Sequence, residues 1–530
     1  MLPRLPALVF LLGSSVAFAA DSSAERGRAA YAVYCASCHQ FAGEGVRGVF
    51  PPLASSDYLM ADKERSIRIA LQGTSGPIRV NDAMYNTVMP PPVGIDDQKV
   101  ADVLTYVRTA WGNRGDAVTV AEVQAMRGKI AAEQAQKPDP YAPLPAAPAG
   151  FKIREVAKLP VHGVRLASMP GANWILVLNN LGDIYRLDPA TGDLTRVLGV
   201  EEYANVGDGV IAALGMTIDS KKRLYVATNQ RVPEYPVDMD RVVIFRSEPL
   251  GAAGEPKLRP WLRTSYPWGV GPYNHGVGHM AEGPDGLLYV VSGSRTDGGE
   301  AGTDPNLFKG GETEITAGIW QLNPNDARPA IKMYARGIRN AWSFAWTDKG
   351  ELFSASNGPD ADFAEEMDHI EEGKHYGFPY QFADTEKRPY AHTPVGPPGL
   401  KFTYAVRNFG PAAGGSPDNP MATFHPHSSP AGMVFCGADW PESVRGKMLI
   451  GRFGNFLGDY NVGFDILAAT LTRNAAGAYE ARMDTFLAPL GRPIDLLQVG
   501  KKLYILEYTR PTDKTSNRPM TPGRILELSW

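Results

Sequence analysis

Six times between Phe151 and Trp530 the chain passes from a small apolar strand through a polar turn into a stronger apolar strand. The units are SMPGANWILVL within Leu166–Leu178, DSKKRLYVA within Met216–Ala227, EGPDGLLYVVS within His279–Ser292, TDKGELFS within Phe344–Ser354, DWPESVRGKMLIG within Met433–Gly451 and VGKKLYILE within Leu496–Glu507. No single unit can bury its own apolar face. Repeats of this kind stack into a ring of small antiparallel sheets, the blades of a propeller. A strand at Phe151–Val156 is placed to pair with one at Arg524–Leu528 and close the ring. An irregular all-β sandwich is the competing reading.

The chain ahead of the repeats has a different texture. Cys35-Ala36-Ser37-Cys38-His39 is the attachment pattern of a c-type haem, with two thiols for the vinyl groups and an imidazole for the iron. A redox Cys-x-x-Cys pair is the plainer alternative. Helices are expected over Ala24–Cys35, Lys63–Gln72 and Asp96–Trp111. In the last, Asp96 caps the start and Val100, Val103, Leu104, Val107 and Trp111 recur at helical spacing. Between them, Met89 precedes three prolines, which hold it extended and able to present a thioether. Met84 and Met60 compete for that axial role. Thr119–Gln136 reads as another helix, and Lys137–Gly150 as a semi-rigid Pro/Ala linker. Residues 25–113 resemble a class I cytochrome c, on the strength of the haem motif, the MPPP loop and the final LTYVRTAWGN. His39/Met89 ligation then implies a relatively high potential.

The organisation expected is therefore a signal peptide at 1–20, an all-α cytochrome c domain at 21–114, a helix and linker at 115–150, and an all-β six-bladed propeller at 151–530. Arg4, the apolar Leu5–Ala19 stretch and the Ala17-Phe18-Ala19 cleavage pattern carry the first of these. An uncleaved signal anchor is the alternative. A net charge of −4 gives no electrostatic case for nucleic acid. Of three cysteines, Cys436 is left over and reads as a buried, inert thiol.

Loops of the repeat region carry the candidate chemistry. His275, between Asn274 and Gly276, is an accessible imidazole able to act as a base near neutral pH. Arg339, in Arg336-Gly337-Ile338-Arg339-Asn340, can meet an anion or developing negative charge. Asn357-Gly358-Pro359-Asp360 offers oxygens to a hard cation such as calcium. Each is weak by itself. A loop histidine, a structural ion pair and an ordinary turn are the plain readings of the three.

Together, residues 151–530 resemble the soluble PQQ-dependent aldose or sorbosone dehydrogenases, most closely at NHGVGHMAEGPDGLLYV, RGIRNAWSFAW and NGPDADFAEEMDHIEEGKHYGFP. The resemblance implies a six-bladed propeller holding pyrroloquinoline quinone (PQQ) and calcium in its channel. It makes His275 the catalytic base and Arg339 the partner of the reduced quinone oxygen. Asn340 and Asn357 lie at the cofactor, and the carbonyls of Gly358 and Pro359 bind its calcium. Glu366 and Tyr376 fit a second calcium position. Arg452 and Arg492 fall where cofactor carboxylates are held.

Two departures stand out. Ser294 occupies the place of an acidic residue that supports the base, with Asp297 as a possible substitute, and Ile494 replaces a second arginine. The Pro/Gly-rich stretch 386–420 is long enough for a lid or docking surface.

These readings combine into a periplasmic quinohaemoprotein. It would oxidise a sugar or alcohol with PQQ and pass electrons through haem c to a soluble cytochrome or membrane oxidase. The main rival is an electron-transfer or binding protein whose propeller has lost PQQ. Calcium-dependent lactonases share six blades but need no haem. The haem-d nitrite reductases have eight blades.

Overall fold

The computed structural model describes residues 23–74, 76–87, 89, 92, 95–135, 144–234, 237–269, 274–299, 311–383, 388, 390–391, 393–412, 422–455, 462–509 and 521–530. The signal peptide, Pro90, Pro91 and the first part of the interdomain linker lie outside these residues.

The N-terminal unit is helical: α1 (Ser23–Tyr34), α2 (Ala36–His39), α3 (Asp57–Ala61), α4 (Lys63–Gln72), α5 (Asp97–Thr109) and α6 (Val120–Ala135). α1 crosses α5 at Gly27, where a Cβ would stand 2.0 Å from the Asp102 carbonyl oxygen, so only glycine permits the approach. Asp102 is buried and compensated by Arg26, whose Nε and Nη2 reach its carboxylate at 2.8 and 2.9 Å. Asp96 caps α5, as expected, by accepting the Lys99 N–H at 2.7 Å. Tyr31, Tyr106 and Trp111 pack edge-on with ring centres 5.0–5.6 Å apart.

The helix expected between the domains is not a spacer. Val123, Met126 and Ile130 of α6 join the same apolar core as Val100 and Leu104. Arg127–Asp97 and Arg68–Glu133 pairs, at 2.7 and 2.8 Å, tie its surface down. A boundary after residue 114 therefore divides one packed unit.

The C-terminal unit is a six-bladed propeller. Blade I is Gly163–Ala167, Ile175–Asn179, Ile184–Leu187 and Leu194–Leu198. Blade II runs from Ile211–Ile218 to Leu258–Pro267, and blade III from Val277–Glu282 to Lys332–Arg336. Blade IV has three strands among the described residues, Ala341–Trp346, Leu352–Ser356 and Glu366–Ile370. Blade V runs from Pro430–Phe435 to Tyr479–Leu487. Blade VI takes Pro493–Val499, Lys502–Glu507 and Arg524–Ser529 from the end of the chain and Lys152–Lys158 from the start. That last pairing, Arg524 opposite Lys158 through Ser529 opposite Lys152, closes the ring as expected. Each repeat seen in the sequence is the hairpin between the first and second strands of a blade.

The first strand of every blade shows a register shift near its start: 163/165, 213/215, 277/280, 341/343, 430/433 and 493/495. A bulge re-aims the residue it releases. In blades I, II, IV, V and VI the released residues Val164, Leu214, Trp342, Ala431 and Ile494 all line one cavity. That cavity occupies the channel at the N-terminal ends of the first strands. A second, of about 580 Å³, lies at their C-terminal ends. Arg165, 1% exposed, belongs to the same strand level, bonds the Leu214 and Trp342 carbonyls at 2.8 Å and pairs with Asp495 at 3.7 Å.

Candidate active site and haem pocket

In the helical unit, α1 leads into the attachment motif through a turn at Cys35, and α2 follows at once. The Cys35 N–H donates to Tyr31 O and the His39 N–H to Cys35 O, both at 2.9 Å. His39 is buried, with Nδ1 2.8 Å from the Pro51 carbonyl. A carbonyl can only accept, so Nδ1 carries the proton and Nε2 keeps its lone pair for a metal. Burial lowers the His39 pKa, which also favours the neutral ligand form, and pushes the free Cys35 thiol up to about 12.

Met89 exchanges two backbone hydrogen bonds with Thr74, at 2.9 and 3.0 Å. Its side chain lines the same cavity as Cys35, Cys38 and His39, walled by Leu59, Val100 and Leu104. Met84 is 60% exposed, and neither Met84 nor Met60 lines that cavity. This convergence of two thiols, an imidazole and a thioether on an apolar slot fits a haem.

The propeller cavity measures about 780 Å³, within the range of small-molecule sites. His275, Arg339, Asn340, Asn357, Gly358 and Pro359 all line it. His275 is held by its neighbours. Gly276 has φ +74°, and a Cβ there would stand 2.7 Å from the Asn229 side chain. Asn229 in turn brackets Val277 with bonds of 2.6 and 2.9 Å. Asn274 donates to buried Asp240 at 2.7 Å.

The His275 Nδ1 lies 3.1 Å from the Ser294 carbonyl and 3.0 Å from its hydroxyl. That hydroxyl donates to Thr296 O at 2.8 Å, so toward His275 it accepts. Nδ1 therefore carries the proton, and Nε2 is the free acceptor. Burial, followed by the nearby Arg339 charge, lowers the His275 pKa to about 3. The imidazole is thus a neutral proton acceptor across the working pH range.

Asp297 does not stand in for the missing acid. It is buried and engages Arg339, whose Nε also donates to the Asp297 carbonyl at 2.9 Å. The Tyr390 hydroxyl and the Asp360 N–H reach the same carboxylate. Arg339 Nη1 donates to Asn357 O at 3.2 Å, which joins the arginine loop to the Gly358-Pro359 turn. The Asn357 Oδ1 is buried, lines the cavity and meets no hydrogen-bond donor among the described residues. An orphaned oxygen beside a Gly-Pro turn suits a hard cation.

Several predicted residues lie elsewhere. Arg452 makes a buried bidentate pair with Asp465, at 2.8 and 2.6 Å. Arg492, fully buried, lies between the Phe453 and Phe464 rings and donates to Gly454 O at 3.1 Å. Neither guanidinium lines the cavity, so the described geometry does not give them to cofactor carboxylates. Glu366 accepts the Ala383 N–H at 2.7 Å. The Tyr376 hydroxyl donates to His369 O and accepts from the Glu371 N–H, both at 2.7 Å. The phenol is spent on its own loop, and neither residue reaches the cavity. Among the described residues no three His, Cys, Asp or Glu side chains are grouped to hold a metal.

The adjacent Glu365, which the sequence places in the same loop cluster but gives no role, is on the cavity wall. It is buried, with Oε2 accepting from Ser428 Oγ at 2.9 Å and Ser429 N at 2.7 Å. Burial raises its pKa to about 7 against those bonds and the Arg339 and Arg452 charges. Neighbouring residues of an extended chain point to opposite sides, so the pair Glu365-Glu366 could send only one carboxylate inward. Trp342, Phe453 and Tyr508 supply flat aromatic walls. Cys436 is fully buried, and burial raises its thiol pKa.

Comparison with known proteins finds two families along the chain. The Cytochrome c family matches residues 24–111, and the Glucose / Sorbosone dehydrogenase family matches residues 162–455. Cytochrome c-552 of Thermus thermophilus is 37% identical over 104 residues, 18% of this chain and 79% of that protein. Quinoprotein glucose dehydrogenase B of Acinetobacter calcoaceticus is 24% identical over 224 residues, 37% of this chain and 46% of that protein. The solved structure of the PQQ-bound aldose sugar dehydrogenase from Streptomyces coelicolor covers 72% of this chain and 99% of its own, at 22% identity and a TM-score of 0.47. The chain belongs to the glucose/sorbosone dehydrogenase family of oxidoreductases, with a cytochrome c joined to the N-terminal side of its propeller.

Proposed function

We propose that this protein is an exported quinohaemoprotein whose propeller oxidises a hydroxyl of a sugar or alcohol and whose haem c carries the electrons away. One observation carries the reading. His275, fixed as a neutral acceptor, shares a cavity of about 780 Å³ with Arg339, Asn340 and the Asn357–Pro359 turn. PQQ, when bound there, supplies a quinone able to accept a hydride. Calcium is assigned to the carbonyls of Gly358 and Pro359, with Asn357 Oδ1 beside them.

The chain's own residues do the rest. His275 Nε2 accepts the proton of the substrate hydroxyl as its C–H bond is broken. The Ser294 carbonyl and hydroxyl hold Nδ1–H, so the ring cannot turn away. Arg339, locked by Asp297, presents a fixed positive charge where negative charge develops. Trp342, Phe453 and Tyr508 give the reacting groups flat aromatic walls.

Arg4, the Leu5–Ala19 stretch and covalent haem attachment support a periplasmic or secreted location. A soluble cytochrome or a membrane oxidase is the downstream acceptor. The test adds PQQ and calcium to the haem-loaded protein, then aldoses and alcohols, while the haem absorbance is followed. Substrate-driven haem reduction is expected. Failure to bind PQQ, together with no reduction by any substrate, would replace this reading with that of an electron-transfer or binding protein.

A further inference from the structure

The cytochrome rests on blade I by the face that walls its own haem pocket. Lys99 Nζ lies 3.3 Å from Glu201 Oε1. Val100, the next residue of α5, lines the haem cavity. Tyr34, immediately before Cys35, is half-buried on the same side. Burial, followed by the carboxylates of Asp183 and Glu201, raises its phenol pKa. Both carboxylates belong to the propeller.

On the propeller side, the short turn Val200–Glu202 is bound to the hairpin that follows Asn179. Arg196 Nη2 bonds Asp183 Oδ1 and Glu201 Oε2, each at 2.8 Å. The Val200 N–H donates to Asp183 Oδ1 at 3.0 Å, and the Tyr203 hydroxyl to Gly182 O at 2.5 Å. Gly182 permits this closeness, since a Cβ there would stand 2.7 Å from Val200. Asn180 and Leu181 of the same hairpin line the upper cavity. One continuous bonded path therefore runs from the cavity wall to Glu201. One residue beyond Lys99, the haem pocket begins.

We infer that the Asn179–Asp183 hairpin and the Val200–Tyr203 turn form the electron bridge from the propeller cavity to the haem, latched by the Lys99–Glu201 ion pair. The inference rests on the dehydrogenase reading above. Oxidation of one carbinol to a carbonyl breaks a C–H and an O–H bond and releases two electrons and two protons. The haem iron takes one electron at a time, from Fe(III) to Fe(II). Each turnover therefore needs two crossings, with an external one-electron acceptor protein reoxidising the iron between them. The protons leave by way of His275 and solvent. An exposed ion pair holds weakly and is screened by salt, so the latch opens and closes readily.

The test uses the full haem-loaded chain with PQQ and calcium, mixed with an aldose in a stopped-flow instrument. Glu201→Lys should slow haem reduction by roughly fivefold or more, the population shift expected when a pair becomes a repulsion. Turnover with a small dye acceptor should not change. Lys99→Glu should slow it likewise, while Lys99→Arg, which keeps the pair, should leave it unchanged. Small-angle scattering, independent of activity, should show a larger radius of gyration for Lys99→Glu and Glu201→Lys and no change for Lys99→Arg. Unchanged haem reduction in both charge-reversal variants, or equal slowing in Lys99→Arg, overturns the bridge. Absent dye turnover in the unaltered protein overturns the dehydrogenase reading itself, and the bridge with it.

Discussion

His275 and Ser294 are joined twice. The backbone N–H of His275 donates to the Ser294 carbonyl at 2.9 Å, and its Nδ1 faces that carbonyl and the hydroxyl at 3.1 and 3.0 Å. Ser294 thus fixes the ring without supplying charge. Ser294→Ala leaves the carbonyl acceptor in place. It should cost about 1 kcal/mol of transition-state stabilisation, roughly fivefold in kcat/KM by dye assay. His275→Ala should abolish substrate-driven haem reduction and leave chemical reduction of the haem intact. Equal loss of both would remove His275 from the role of base.

The pH profile follows from the same geometry. The base must be neutral to work, and a pKa lowered to about 3 keeps it neutral at every pH above that value. The acid limb set by His275 should therefore lie below pH 5, with no loss as pH falls from 7 to 6. In Ser294→Asp a carboxylate would favour the imidazolium, raise the pKa and move the acid limb upward. Profiles of kcat/KM for the two proteins check this. A superimposable pair of curves would count against it.

Arg339 and Asp297 form an ion pair with both side chains under 10% exposed. Removing one partner strands the other in a low-dielectric wall. Arg339→Ala and Asp297→Ala should each lose about 3–5 kcal/mol of stability by denaturant unfolding. Their combination should lose less than the sum, because the stranded charge is gone.

Met89 and Met84 should separate cleanly. Met89→Ala removes the thioether beside His39, so the haem spectrum should change and its potential fall. Met84→Ala alters an exposed side chain and should leave both unchanged. Redox titration of the purified variants measures this.

Arg452→Ala should act through folding. Breaking its bidentate pair with Asp465 should lower the unfolding midpoint, while titration calorimetry finds PQQ affinity little changed in the protein that remains folded. Lost affinity with unaltered stability would return Arg452 to the cofactor.

The parts legible in the sequence were those with a local signature. The hairpin repeats announced the blades, Phe151–Val156 and Arg524–Leu528 announced the closure, and the Cys35–His39 motif with Met89-Pro90 announced the haem pocket. The bulges were invisible. Releasing one residue from a strand needs no special side chain, so nothing in the sequence marked Val164, Leu214, Trp342, Ala431 and Ile494 as the residues that the register turns to the cavity. Arg452 and Arg492 misled for a related reason. Their motifs resemble the family's, but the side chains have closer partners in Asp465 and in the Phe453 and Phe464 rings. Glu365 was given no role beside Glu366 because only the fold decides which of two adjacent carboxylates turns inward. The packing of α6 could not be separated from a spacer by composition, since an alanine-rich helix suits either.

Arg165 has a consequence for traffic. Bonded to two strands and paired with Asp495, its guanidinium stands between the cavities at the two ends of the first strands. Among the described residues the channel is therefore divided at this level. On the dehydrogenase reading, reactant and oxidised product use the cavity on the same side of that divide, so product competes directly with substrate for it. Electrons alone leave by the side wall.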